Sequence, residues 1–151
     1  ETGTEIKMHR PAMIADDYLP NVSTRLVLYK RIAQAQDKEA LNDIQVEMID
    51  RFGLLPDATK QLFIQAEVRL RAQALGISEV DVGVAGGSVK FEATTPVPVN
   101  ALIGLLQSNP KEFKLAGSDT LRFIRELESG EARRNYIDTL MTQWEEACKS
   151  S

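Results

Sequence analysis

The chain has 151 residues, a formal net charge of −4 and a pI of about 5.1, which is long enough for one domain with its own hydrophobic core. Hydrophobic residues make up 43% of it and charged residues 26%, and no apolar run approaches the roughly 18 residues of a membrane span, so a water-soluble domain is predicted. Because the net charge is negative, we do not expect the basic surface that binding to a phosphate backbone requires. We therefore expect no direct nucleic-acid partner, and we also expect no membrane contact.

The first half of the chain carries helical signals. Residues 4–9 alternate as in a short strand, which ends at Pro11. Ser23 or Asn21 is a suitable N-cap for a helix over 23–36, in which Leu26, Tyr29 and Ile32 follow a 3.6-residue rhythm.

A second helix follows almost immediately, so the two are predicted to form a hairpin. Asp37 is its N-cap, Gly53 ends it, and one apolar sector contains Leu41, Ile44, Met48 and Phe52. A third, long helix begins at Asp57 and ends before Gly76.

From residue 77 the period changes to two. The segments "ISEVDVGV" and "SVKFEA" alternate around "AGG", which predicts a β-hairpin. A short helix, "NALIGLLQSN", comes next, and two short apolar segments then flank the turn at residues 117–119. The second of these segments is compatible with strand or helix, and we favour a strand. A final helix carries an apolar face of Ile137, Leu140, Met141 and Trp144.

The predicted fold class is α+β, with N-terminal helices (a hairpin plus a long helix) packed with a small, mostly antiparallel sheet and a C-terminal helix. We expect an N-terminal extended segment over 1–20, a single domain over 21–148 and a disordered tail over 149–151. The chain begins without an initiator Met or a targeting pattern, and we interpret it as a segment of a larger protein.

No catalytic, cofactor or metal site is predicted. The single histidine, His9, and the single cysteine, Cys148, lie at opposite ends of the sequence, and one cysteine is consistent with a reducing compartment. The glycine-rich stretch "GVAGGSVK" lacks the phosphate-loop spacing and is predicted to be a hairpin turn.

An acidic stripe on the second helix is the one feature that intrinsic stability does not explain. Asp43, Glu47 and Asp50 are spaced i, i+4, i+7 and fall within roughly 60° on the side away from the core. Like charges at this spacing destabilise a helix, and Asp50 lies in the last turn, where the helix dipole disfavours an anion. Arg51 partly compensates Glu47, so a solvated face and an acidic docking surface for arginines both remain open.

A basic cluster on the first helix, Arg25, Lys30 and Arg31, has the same two interpretations. It is either ordinary helical surface charge or a face that binds a partner.

Two stretches carry a family resemblance. "ADDYLPNVSTRLVLYKRIA" and "VEMIDRFGLLP", dense over residues 16–56, resemble the C-terminal domain of bacterial transcription-repair coupling factors, the Mfd family. The resemblance implies a non-enzymatic regulatory domain of a cytoplasmic ATP-dependent DNA translocase, which displaces stalled RNA polymerase and recruits UvrA for nucleotide excision repair. ATP and Mg would belong to upstream motor domains, and no cofactor is expected here.

The resemblance also implies that the domain docks on the UvrB-like N-terminal module of the same protein and masks its UvrA-binding surface. Acids that contact arginines of that module fall on Glu47 and Asp50, whereas Asp43 is added from helical geometry alone. UvrA and RNA polymerase would then be indirect partners. The alternative is a protein-binding module that contacts RNA polymerase or another repair factor directly.

Overall fold

Five helices and five strands make up the fold in the computed structural model, which describes residues 3–150. In chain order the elements are β1 (Glu5–Lys7), α1 (Val22–Gln34), α2 (Lys38–Phe52), α3 (Asp57–Ala74), β2 (Ile77–Gly83), β3 (Gly86–Phe91), α4 (Val99–Ser108), β4 (Phe113–Ala116), β5 (Thr120–Ile124) and α5 (Gly130–Ser150). The predicted α+β class is confirmed. Helix α5 continues to Ser150, into the segment predicted as a tail, and residues 1, 2 and 151 lie outside the described range.

The chain divides into two units. One comprises residues 10–70, and the other comprises the segments 1–9 and 71–151, so the division falls inside α3. No helix among residues 3–150 combines the length and hydropathy that crossing a membrane requires.

The unit of residues 10–70 is helical and has its own core. That core consists of Ile14, Leu19, Leu28, Ile32, Ala35, Leu41, Ile44, Met48, Leu55, Phe63 and Ala66. Two side-chain hydroxyls fix the segment before α1, since Tyr29 Oη accepts from Ile14 N (2.7 Å) and Thr59 Oγ1 donates to Met13 O (2.9 Å). The apolar rows of α1, α2 and α3 thus share one interior.

Helix α1 differs from its prediction in the phase of its buried face. Asn21 is the N-cap, with its side-chain oxygen accepting from Thr24 N at 2.9 Å. The buried residues are Leu28 and Ile32, whereas Leu26 is 61% exposed. The predicted apolar face was therefore partly wrong, because positions 26–29 are all apolar or aromatic and admit more than one helical phase.

Helix α2 has the predicted boundaries. Asp37 caps it by accepting from Ala40 N at 2.8 Å, and Gly53 ends it with φ 96°. This backbone region is one that residues with a Cβ rarely adopt. Tyr18 Oη donates to Gly53 O at 2.8 Å, so the helix end is also held from outside the helix.

The other unit contains a five-stranded sheet of order β1-β2-β3-β5-β4. Strand β1 pairs with β2 in parallel, and the three remaining pairs are antiparallel. The predicted hairpin is β2 with β3, and the ambiguous segment after the second turn is strand β5, as favoured. The predicted mostly antiparallel sheet is confirmed.

Alternation along the strands gives the sheet one buried and one open face. The buried face includes Val80, Val82, Val89, Leu121 and Phe123. The same unit buries the predicted face of α5, namely Ile137, Leu140, Met141 and Trp144, and the Trp144 ring meets Phe91 edge-on at 5.2 Å between centroids. The open face consists of the alternate, mostly polar positions, such as Ser88, Lys90 and Arg122.

One buried cation ties the N-terminal segment to this unit. Arg133 in the first turn of α5 is only 8% exposed. Its guanidinium donates to Leu127 O at 2.9 Å and Met8 O at 3.1 Å, and more weakly to His9 O and Glu128 O. Its charge is therefore solvated by carbonyl oxygens, and no carboxylate within residues 3–150 pairs with it.

Candidate docking surface on helix α2

The three predicted acids lie on the outer side of α2. Their helix turns Leu41, Ile44 and Met48 into the core and leaves the opposite side to solvent. Asp43 and Asp50 are exposed, and their carboxylates form no hydrogen bond or ion pair with any residue of the range 3–150. Glu47, between them in the stripe, is half-buried and differs in its contacts.

Glu47 is the centre of an ion-pair cluster inside the helical unit. Both of its carboxylate oxygens lie 3.0 Å from guanidinium nitrogens of Arg31 on α1, in a two-point contact. Arg51, one turn further along α2, adds a third contact at 3.1 Å. A carboxylate offers about four lone-pair positions. Glu47 therefore retains room for about one further donor.

The contacts in this cluster change the pKa of Glu47 and hold the Arg51 side chain in place. The hydrogen bond from Arg31 is the main reason that the pKa of Glu47 is lowered, with a smaller contribution from Arg51. The Arg51 guanidinium also lies over the Phe52 ring, 4.8 Å from its centroid. Two cations and three acids therefore form one charged surface on α1 and α2, with two of the acids unpaired.

Exposed apolar side chains lie beside the acids, and the sequence interpretation missed them. Val46 is 58% exposed and lies three residues after Asp43 and four before Asp50, so it is a neighbour of both acids on the helix. Ile49 is 38% exposed and lies three residues after Val46, next to it on the same side. Leu54, directly after the glycine stop, is 84% exposed. For Leu54 the sequence did contain a signal, because this leucine directly follows the glycine at the helix end in "RFGLLP", outside the apolar sector of α2. The surface therefore offers apolar contact area as well as carboxylates.

The basic cluster predicted as an alternative binding face is largely used within the unit. Arg25 donates to the carbonyl oxygens of Leu19 and Pro20 at 2.7 and 3.1 Å, and Arg31 pairs with Glu47. Of the three cations, Lys30 alone is exposed with a side chain that contacts no partner among residues 3–150. The structure thus leaves little free positive charge on α1.

His9 and Cys148 have different surroundings in the structure. His9 Nε2 lies 2.7 Å from Asp81 Oδ1, a partner that the sequence did not indicate. Cys148 is half-buried on α5. Within residues 3–150, no group of three or more His, Cys, Asp or Glu side chains is arranged to hold a metal ion.

Comparison with known proteins gives one consistent family. A family model described as the TRCF domain matches residues 8–102, which include the whole of α2. The chain is 41% identical over 143 residues to the transcription-repair-coupling factor of Escherichia coli, covering 95% of this chain and 12% of that protein. It is 39% identical over 137 residues to the factor of Haemophilus influenzae, covering 91% of this chain and 12% of that protein.

The fold agrees with the same assignment. A crystal structure of the C-terminal domain of transcription-repair coupling factor superposes with a TM-score of 0.74 at 20% identity, covering 96% of each chain. At this identity the likeness concerns the fold alone. The chain spans about an eighth of the length of the curated relatives that it matches.

Proposed function

The chain belongs to the TRCF domain family, and from that premise we propose that it is an autoinhibitory domain, which docks through the outer side of α2 on a UvrB-like module of the same polypeptide. Docking masks the surface of that module that binds UvrA. In this proposal the complete protein is an ATP-dependent DNA translocase that displaces stalled RNA polymerase and recruits UvrA for nucleotide excision repair. This chain regulates the recruitment step and has no catalytic role of its own.

The observation that carries the proposal is the unpaired carboxylate of Asp50. It is exposed in the last turn of α2, four residues from Leu54 and one turn from Val46. An anion at this end of a helix is disfavoured by the helix dipole, and nothing within the described unit compensates it. A guanidinium from a partner would compensate it and form charge-assisted, two-point hydrogen bonds.

The three acids contribute differently. Asp43 and Asp50 accept a partner's arginines directly, because neither has to release an internal contact first. Glu47 already holds Arg31 and Arg51, so its main role is to keep those two cations from pairing with the flanking acids, with one free acceptor position left for the partner. Val46, Ile49 and Leu54 exclude water around the pairs and strengthen them.

The docked, autoinhibited state proposed here, which we call the latch, is reversible. Charge pairs at an interface are sensitive to ionic strength and to competition, and their loss on rearrangement of the polypeptide frees the masked surface. Engagement of polymerase and DNA by the rest of the protein supplies that rearrangement, which makes both of them indirect partners of this chain.

The test uses the full-length protein and measures its affinity for UvrA. Asp43→Asn with Asp50→Asn unlocks the latch and raises the affinity, by roughly thirtyfold if one interfacial charge pair worth about 2 kcal/mol is lost. Glu47→Gln raises the affinity for UvrA by a smaller factor. Glu126→Gln, which neutralises an exposed acid of the other unit without a side-chain partner within residues 3–150, leaves the affinity unchanged. Equal UvrA affinity in the Asp43, Asp50 double variant and the parent, with both folded by circular dichroism, contradicts the proposal.

A further inference from the structure

The open face of the sheet carries three cations that the fold itself does not use. Lys90 on β3, Arg122 on β5 and Lys114 on β4 are exposed, and their side chains form no hydrogen bond or ion pair with any residue between 3 and 150. Their register places them on one face, since Lys114 is opposite Arg122, Arg122 is opposite Ser88, and Lys90 is opposite Thr120. The three cations occupy three adjacent strands.

Acids of β1, β2 and the loops next to β4 contact other side chains. Glu5 and Glu79 pair with Lys7 at 3.9 and 3.0 Å. Asp81 contacts His9 at 2.7 Å. Glu112 accepts from Arg125 at 3.3 Å and from the Tyr136 hydroxyl at 2.6 Å, and Asp119 in the β4–β5 turn accepts from the Thr120 hydroxyl at 2.9 Å. Strands β3, β4 and β5 themselves contain no acidic residue, so the charge on these three strands is positive, although the whole chain is acidic.

The arrangement of the cations costs stability. Like charges directly opposite each other on neighbouring strands are destabilising, and Lys114 and Arg122 are such a pair. A groove of about 740 Å³ lies over them, and its lining includes Lys114 and Arg122, with Ile124 as an apolar side chain that is 64% exposed. Its two acids, Asp81 and Glu112, are the ones that contact His9 and Arg125. An unfavourable cation pair on an open groove indicates a function outside the folded unit.

From these observations we propose that the groove over β3, β5 and β4 binds an acidic protein segment in extended conformation. Directly opposite side chains on adjacent strands are about 5 Å apart and diagonal ones, such as Lys90 and Arg122, about 7 to 8 Å apart. Alternate carboxylates of an extended segment are spaced by about 6.6 to 6.8 Å, close to the diagonal spacing. The hydroxyl of Ser88 adds a hydrogen-bond donor, and Ile124 contacts an apolar residue of the ligand.

A protein segment fits this face better than a nucleic acid. Single-stranded nucleic acids are held by bases that stack on exposed aromatic side chains. The groove contains one aromatic residue, Phe123, which is 2% exposed and turned into the core. This surface belongs to the sheet-containing unit and is distinct from the α2 surface of the proposed function.

The experiment measures binding of a fluorescent peptide of alternating Glu and Val by anisotropy. A Gln-Val peptide of equal length and a thymidine oligonucleotide of equal charge serve as comparison probes. The proposal predicts saturable, salt-sensitive binding of the Glu-Val peptide, with much weaker binding of the other two. In a nitrogen-proton correlation spectrum, the peptide shifts the amide signals of Ser88, Lys114, Thr120 and Arg122.

The decisive comparison is between two double variants of identical net charge. Lys114→Gln with Arg122→Gln weakens peptide binding by roughly five- to tenfold, as expected for two partly exposed ion pairs. Lys30→Gln with Arg134→Gln, which removes one exposed lysine and one exposed arginine elsewhere, leaves binding unchanged. Equal losses in both variants, no saturable binding, or tighter binding of the oligonucleotide would each overturn the proposal.

Discussion

Removal of the buried cation Arg133 is predicted to destabilise the sheet-containing unit. The substitution Arg133→Met keeps an unbranched side chain in place and deletes the guanidinium. The structure assigns that guanidinium two close hydrogen bonds, to Leu127 O at 2.9 Å and Met8 O at 3.1 Å, both in buried surroundings. The Met8 carbonyl belongs to the residue that follows β1, so the contact joins parts of the chain separated by 125 positions.

The size of the effect follows from the hydrogen bonds. A bond from a charged donor contributes about 1.5 to 3 kcal/mol, so the two short ones together contribute about 3 to 6 kcal/mol. Replacing the cation recovers part of its desolvation cost, and the position in the first turn of α5 already opposes a positive charge. We therefore expect a net loss of about 2 to 4 kcal/mol in the free energy of unfolding.

Urea denaturation followed by Trp144 fluorescence measures this loss. Trp144 is the single tryptophan of the chain and is 1% exposed, so its emission reports on the core of the same unit. Arg134→Met is the matched control, because Arg134 is the exposed neighbour on the same helix, and it should change stability by less than about 0.5 kcal/mol. A loss below about 1 kcal/mol for Arg133→Met, or equal losses for both variants, would refute the reasoning.

Three further predictions concern individual residues. The pKa of Glu47 is lowered from its usual 4.5, so the Glu47 carboxylate contributes stability above that pH and loses this contribution as the pH falls through the lowered value. As the pH is lowered from about 7 to 3, the free energy of unfolding should therefore decline less in Glu47→Gln than in the parent. Gly76→Ala should lower the free energy of unfolding, measured by urea denaturation, by more than about 3 kcal/mol, because φ is 67° and a Cβ would lie 2.6 Å from Thr95 Cα. Gly53 has open space around it, so Gly53→Ala should lower this free energy by only about 1 to 3 kcal/mol through backbone strain. Equal costs for the two glycine variants would contradict the packing argument. Burial raises the pKa of Tyr136, so the neutral Tyr136 hydroxyl contributes stability below the usual pKa of 10.0, and this contribution is lost as the pH rises beyond that value. Between about pH 9 and 11 the free energy of unfolding should therefore fall more in the parent than in Tyr136→Phe. Identical slopes in the two proteins would argue against this role of Tyr136.

Local signals predicted most of the secondary structure. Helix α2 has its predicted limits because an N-cap aspartate and a terminal glycine act within one turn of the helix. The β2–β3 hairpin followed from alternation over residues 77–91, which has no competing helical phase. The buried face of helix α1 was predicted only in part, because its consecutive apolar residues leave the helical phase undetermined.

Contacts between residues distant in sequence were not predictable. Arg31 and Glu47 are 16 positions apart on different helices, and their pairing depends on how the hairpin packs. The same is true of Arg71, which contacts Glu145 from 74 positions away. The exposure of Asp43 and Asp50 followed from helical geometry, whereas the pairing of Glu47 with Arg31 emerged only from the tertiary structure.

The apolar part of the same surface was missed for a different reason. Exposed Val46, Ile49 and Leu54 resemble ordinary core residues in a sequence, since hydrophobicity alone does not say which side of a helix is covered. The structure separates them from the core by their exposure and places Val46 beside the unpaired acids of α2.

The most direct test of the docking proposal is a titration of this chain against the isolated UvrB-like module. We predict binding that weakens with rising salt and that is lost in Asp43→Asn with Asp50→Asn, whereas Glu126→Gln binds as the parent does. Binding that is insensitive to salt and equal in the parent and the Asp43, Asp50 double variant would contradict the assignment of α2 as the docking surface.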